Sequence, residues 1–287
     1  MASRDMKLVD SFLSEFVKKL SKAFPEEIDF ILLFGSAARG EFKVGTSDVD
    51  LIIQLKRRRG MAGFEKEAEK IFWKLDKKHK TGLAKVCSTK RGDFFGMIEQ
   101  QVKLYKPFEV LGPDDINWKE GKIERGLGAF QVIAPINHFA KKVKSEGKIL
   151  YGRNILKEIR VKESLVDSLK AIFVPYWLSL IALLLSIILP NKALKYSIKA
   201  VLYAVDGQVT LLEATGAKRT MFKMKVLRTE IGDLFSVRLA KEAIHARMHS
   251  EKVMKEWSYI DKVAFCFQAP LYISYNNLLS VGKLLGR

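Results

Sequence analysis

The stretch GSAARGEFKVGTSDVD, residues 35–50, lies between two short apolar runs, IDFILLFG from Ile28 to Gly35 and DVDLIIQL from Asp48 to Leu55. Runs of this length, closed by glycine or by charge, predict buried strands. Residues two apart on a strand project from one face, so Asp48 and Asp50 would place two carboxylates side by side. Their repulsion calls for a cation, and a hard divalent ion such as Mg²⁺ is the natural one. At the other end of the stretch, Gly35 permits close backbone approach by a ligand. Ser36 and the N–H groups of a following helical turn could hold phosphate oxygens. Arg39, one turn later, either reaches a phosphate or is a surface charge. Ser47 either caps the turn or joins the metal shell.

A phosphate cradle beside two metal-binding carboxylates suits nucleotidyl transfer. Gly35-Ser36, the eleven residues Ala37 to Ser47, and Asp48-Val49-Asp50 together resemble the signature of the DNA polymerase β-type nucleotidyltransferase superfamily. That superfamily includes kanamycin nucleotidyltransferase, archaeal CCA-adding enzymes and the minimal nucleotidyltransferases. The spacing matches the CCA-adding enzymes and is one residue longer than is usual in the minimal ones. The resemblance implies two Mg²⁺ ions and an NTP substrate, with ATP expected. It also implies a third carboxylate on a neighbouring strand, as metal ligand or general base. Asp93, Glu99 and Glu109 are the candidates, and Glu109 is chosen because PFEVLGPDD is strand-like and resembles a segment of archaeal relatives. Pro107 leaves its register open, with a solvated edge as the alternative. On this reading Asp48, Asp50 and Glu109 are catalytic and metal-binding, while Gly35, Ser36 and Arg39 contact the nucleotide. The segment HFAKKVKSEGKILYG resembles the element that closes such catalytic domains, and no catalytic role is given to it.

Outward from the signature, Leu8, Phe12, Phe16 and Leu20 recur at helical spacing near the N-terminus, and no export signal is visible. Phe64, Ala68, Ile71, Phe72 and Leu75 predict a second helix. GLAKVCST and VKLYKPFEVLG read as strands, PINHFAKKVKSE as a helix stopped at Gly147, and KILYG as a strand. From about Lys157 onward helical periodicity dominates, broken at Pro190-Asn191, Ala214 to Gly216 and Gly232. The expected fold is therefore α+β: a nucleotidyltransferase domain with a mixed sheet and flanking helices over 1–157, followed by an all-α bundle over 158–287.

With 50 Lys and Arg against 32 Asp and Glu among 287 residues, the formal charge is +18, shared as +10 and +8 between the two parts. A polyanion or phosphorylated ligand is favoured. Lys56 to Arg59, Lys141 to Lys162 and the run from Lys218 to Arg228 could line a groove for RNA or nucleotide phosphates, or could be solvated faces. RNA, a protein side chain or a small molecule could each be the acceptor, and a cationic aminoglycoside suits a cationic host poorly. The alternative is a non-catalytic module of the same fold that binds nucleotide or RNA or partners a toxin. The C-terminal helices diffusely resemble kanamycin-nucleotidyltransferase-like and HEPN bundles. In the latter, Arg238 and His245 would be an RNase-type pair on one helix face. Cys87 and Cys266 stand far apart with no metal spacing, which suits a reducing cytoplasm. Ala171 to Pro190 is long and uncharged enough to span a bilayer. Pro175, Ser179, Ser186 and similar flanks at both ends favour a buried bundle centre instead.

Overall fold

The computed structural model describes residues 4–44, 47–83, 108–125, 136–161, 165–213 and 234–285. Contacts divide the chain into two compact units, Met1–Val132 with Phe139–Lys162, and Ile133–His138 with Glu163–Arg287.

The first unit is built on a four-stranded mixed sheet. β1 (Ile28–Phe34) pairs antiparallel with β2 (Asp50–Leu55) on one side and with β6 (Lys148–Gly152) on the other. β3 (Phe108–Leu111) lies parallel to β2, giving the order β3-β2-β1-β6. β4 (Ile116–Asn117) and β5 (Lys122–Ile123) form a separate two-stranded ribbon. The predicted strands at 28–35 and 148–152 and the helix ending at Gly147 correspond closely to the observed elements. The predicted strand over GLAKVCST falls on residues that lie almost wholly outside those described.

Strand alternation sends alternate residues to two different layers. Ile31, Leu33, Leu51, Ile53, Phe108 and Val110 join one apolar core with α1 (Arg4–Ala23) and α3 (Met61–His79). There Phe72 packs edge-on against Phe12 and Phe16, with ring centroids 4.9 and 5.4 Å away. Each such ring contributes roughly 1.5 to 3 kcal/mol by leaving water. The opposite face carries Phe30, Phe34 and Gln54. It is covered by Trp118 and by α4 (Ile136–Glu146), whose Phe139 meets Phe34 at 5.2 Å. Gln54 is buried, and its carbonyl accepts from Trp118 Nε1 at 2.8 Å while its amide donates to Asp29. Arg153 donates to the same Asp29 at 2.7 Å and to Glu158 at 2.6 Å, tying the end of β6 to β1. Gly152 is obligatory there: its φ is +78°, and a Cβ would strike the Asp29 carbonyl.

The second unit is helical: α5 (Leu165–Ser186), α6 (Pro190–Glu213), α7 (Leu234–Met248), α8 (Ser250–Glu256) and α9 (Tyr259–Leu285). α6 packs against α5, α7 and α9, and α5 against α9. Proline at the first position of α6 fits, since that N–H has no intrahelical partner. The predicted break at Pro190 is therefore a helix start. α9 runs unbroken through Pro270 and Asn276. The core of this unit is alanine-rich, including Ala193, Ala200, Ala204, Ala240, Ala243 and Ala269, which lets helices approach closely.

The expectation that 171–190 forms the buried centre of the bundle requires correction. The buried face of α5 consists of Pro175, Ser179, Ala182 and Ser186, whereas Phe173, Trp177, Ile181, Leu184 and Ile188, from α5 and the turn after it, are exposed. Among the described residues no helix is long and apolar enough to cross a membrane.

Candidate functional site

Immediately after β1 the chain turns sharply at Gly35, whose φ is +74°, into the single helical turn α2 (Gly35–Ala38). Asp50 starts β2 and stands opposite Phe34 in the antiparallel register, which brings its carboxylate onto the Gly35 backbone. A Cβ at position 35 would collide with Asp50 Oδ2. The cradle and the carboxylate are thus one packed unit, because a hairpin pairs the end of one strand with the start of the next.

Ser36 is buried, and its Oγ has no hydrogen-bond partner among the described residues. A buried hydroxyl without a partner is costly, roughly 1 to 3 kcal/mol. The Ser36 carbonyl is occupied, accepting from Glu41 N–H at 2.9 Å.

The connection to Asp48 is fixed from outside. Ser47 Oγ accepts from the Lys43 N–H at 3.0 Å, and Ser47 N–H donates back to the Lys43 carbonyl at 2.9 Å. Of the two roles open to Ser47 from sequence, the turn cap is the one with observed bonds. Val44 N–H donates to Asp5 of α1 at 3.2 Å. Nothing in the local sequence signals that contact, because it joins residues far apart in the chain.

Glu109 lies on β3 as predicted, and the register pairs it with Ile52. Laterally paired residues face the same way, so Glu109 is on the face shared by Asp50 and Ile52, opposite to the α1 and α3 core. The parallel pairing settles the register that Pro107 left open. Its Oε2 is buried, which excludes a freely solvated edge. Asp48 precedes β2 by two residues and is partly exposed. The structure thus sets Asp50 and Glu109 on adjacent strands with a common face, and Asp48 just beyond the strand end. These three are hard oxygen donors of the kind Mg²⁺ takes. Among the described residues no cluster of three or more His, Cys, Asp or Glu is drawn close enough to hold a metal ion. Asp93 and Glu99 lie outside the described residues.

Arg39 is engaged by carboxylates. Its guanidinium donates to Glu146 at 2.6 Å and to Glu41 at 2.9 Å. Desolvation works to lower its pKa, but the bonds and charges of Glu146 and then Glu41 outweigh it and raise the value above the usual one. Glu146 ends α4, and only 6% of its side chain is exposed. Sequence reading missed it, since KKVKSEG gives no hint that its glutamate turns inward.

Arg238 and His245 both lie on α7, but Arg238 is exposed and donates to Glu242 at 2.8 Å, while the His245 ring lies 4.7 Å from that of His249. The observed partners of both are therefore other than each other. Of the basic clusters, the run from Lys218 to Arg228 falls outside the described residues. Cys266 is a buried free thiol, and Cys87 is outside the described residues.

A mixed sheet with helices against it, a Gly-Ser turn after the first strand and an acidic start to the second lie in the N-terminal unit, and the match to known proteins there is to a nucleotidyltransferase domain, of the transferase class of enzymes. Residues 13–105 match the model of the family described as "Nucleotidyltransferase domain". The match includes Gly35, Ser36, Arg39, Asp48 and Asp50 and stops short of Glu109. No curated protein matches the chain. Among solved structures, the chain is similar to spectinomycin adenyltransferase AAD(9) from Enterococcus faecialis, solved with ATP and spectinomycin. That similarity has 12% identity and a TM-score of 0.47 over 92% of this chain and 96% of the other.

Proposed function

We propose that the N-terminal unit transfers a nucleoside monophosphate from an NTP, with ATP as the expected donor, to an acceptor hydroxyl in an Mg²⁺-dependent reaction that releases pyrophosphate. The observation that carries this reading is the buried Ser36 Oγ, held beside a left-handed Gly35 whose backbone is in contact with the Asp50 carboxylate.

In the reaction, the acceptor oxygen bonds to the α-phosphorus while the bond to the bridging oxygen of the β-phosphate breaks. Ser36 and the backbone at Gly35 hold the triphosphate. Asp48, Asp50 and Glu109 would hold two Mg²⁺ ions, drawn together on binding. When bound, the ions would lower the pKa of the attacking hydroxyl and neutralise the leaving pyrophosphate. Glu109 is the carboxylate placed to accept the hydroxyl proton or to complete the metal set. Arg39 holds the α2 turn against Glu146 in this reading. The acceptor is an RNA end, a protein hydroxyl or a small molecule, and the strong positive charge favours the first of these.

The test is to incubate the full chain with each α-³²P-labelled NTP, Mg²⁺, total RNA and cell protein, with Asp50→Asn alongside. Label on RNA or on a protein band that is absent with the variant supports transfer and names the acceptor class. Label undiminished in Asp50→Asn would overturn the metal assignment. No label on either acceptor, together with NTP affinity, would favour a small-molecule acceptor or a binding module.

A further inference from the structure

The second unit carries an apolar exterior that the transfer chemistry does not use. On α5 and the turn that follows it, Phe173, Trp177, Ile181, Leu184 and Ile188 form one stripe at spacings of four, four, three and four residues. Trp177, Leu184 and Ile188 are 60%, 75% and 77% exposed. The side of α5 turned inward has the small and hydroxylated residues Ser179, Ala182 and Ser186 instead. α9 packs beside α5 and is joined to the turn after it by a bond from Tyr259 Oη to the Ile187 carbonyl at 3.1 Å; its inward side is mixed, with Phe265, Tyr272 and Ile273 buried beside Ala269. Its Phe267, Leu271 and Leu278 are exposed, while Cys266 and Asn276 are buried.

On α5 this is the reverse of a helix in water, where the largest apolar side chains turn inward. A helix with small and hydroxylated residues on its packed side and large apolar ones outside has the distribution found where the surroundings are hydrocarbon. The polarity is one-sided. α7 shows the usual aqueous exterior, with Arg238, Lys241 and His245 exposed. No charged residue occurs from Ala171 to Leu189 or from Val263 to Gly282. The α5 stripe runs roughly 22 Å at 1.5 Å per residue.

The charge around this surface selects its occupant. Lys170, 3.8 Å from Asp167, continues the α5 stripe one turn before Phe173, and Lys192 and Lys195 follow its far end on α6, so that with Asp261 at the start of α9 the cations outnumber the carboxylates. The sequence from residue 158 onward carries +8 and the whole chain +18. A second copy would bring the same positive rim against this one, whereas an anionic lipid surface complements it. Trp177 and Tyr259 are of the aromatic type that settles at the headgroup level.

We propose that the α5–α9 face lies flat on an anionic bilayer, buried to the headgroup boundary with its cations against lipid phosphates, and does not span it. This is independent of the identity of the acceptor.

The test is flotation of the full chain with vesicles of phosphatidylcholine alone and with about 30% phosphatidylglycerol added. The expected result is binding to the anionic vesicles that is at least about tenfold stronger than to the neutral ones and weakened by salt. Leu184→Glu with Ile188→Glu, both on exposed positions, should abolish flotation while the circular-dichroism melt stays that of the parent. A blue shift of tryptophan emission on binding should be lost in Trp177→Phe, with Trp73, Trp118 and Trp257 retained. Failure to float with anionic vesicles overturns the proposal, and so does equal binding to both vesicle types. A dimer in solution that the Leu184→Glu, Ile188→Glu variant converts to monomer, without flotation by the parent, assigns the face to a second copy instead.

Discussion

The carboxylate of Asp50 rests against the backbone of Gly35, so closely that a methyl group on Gly35 would occupy the position of Oδ2. The turn that would hold phosphate and the residue that would hold metal cannot move independently. The pairing of Phe34 with Asp50 sets that arrangement, and the left-handed φ of Gly35 permits it.

Gly35→Ala should therefore cost about 1 to 3 kcal/mol of stability from the backbone conformation alone. The displaced Asp50 carboxylate should also reduce nucleotide transfer. A thermal melt measures the first effect and labelled-NTP turnover the second. A variant with parental melting temperature and parental turnover would contradict the contact.

Glu109 shares a sheet face with Asp50 through its pairing with Ile52. Glu109→Gln keeps volume and removes charge, and is expected to slow transfer by roughly 10² to 10⁴-fold if the group takes a proton or holds metal. Its circular-dichroism melt should remain close to that of the parent. Unchanged turnover would remove Glu109 from the site.

Arg39 and Glu146 form an ion pair at 2.6 Å in which the arginine side chain is 24% exposed and the glutamate 6%. Breaking a buried pair from one side typically costs about 3 to 5 kcal/mol. Arg39→Ala leaves the Glu146 carboxylate, 6% exposed, without this cation and should lose an amount approaching that range. Arg39→Ala combined with Glu146→Ala should recover part of the loss, giving a coupling energy of about 1 to 3 kcal/mol in a double-mutant cycle. Additive losses would mean the pair has no energetic role and would return Arg39 to the nucleotide.

Acid should loosen the α1–α3 contact through Glu15. Hydrogen bonds from Lys78 and then His79 lower its pKa from 4.5 to about 2. The folded carboxylate stays ionised where the unfolded one has already taken a proton. Its contribution is thus complete above about pH 4.5 and lost as the pH falls towards 2. Melting temperatures of the parent and of Glu15→Gln should converge across that window, with the parent higher only at its upper end. A constant gap down to pH 2 would contradict the assignment.

The α/β order, the two central strands and the Gly35 to Asp50 signature were legible in sequence because each depends on neighbours within a few residues. Alternation fixes which side chains of a strand share a face, and glycine is the residue that tolerates a left-handed turn. The inward turn of Glu146, the anchoring of Val44 by Asp5 and the partner of Arg238 were not legible. Each depends on which distant segments meet.

Length, charge and hydrophobic period determined by themselves that this chain has a mixed α/β half and a helical half, with a cationic surface and an acidic pair at a strand start. Only the tertiary structure decided that Asp50 lies against Gly35, that Glu109 joins its face, and that α5 turns serine inward and leucine outward. Periodicity states that a helix has faces. Which face is covered depends on the helices that pack against it, and the near-uniform apolarity of 171–190 gave the sequence no means of choosing.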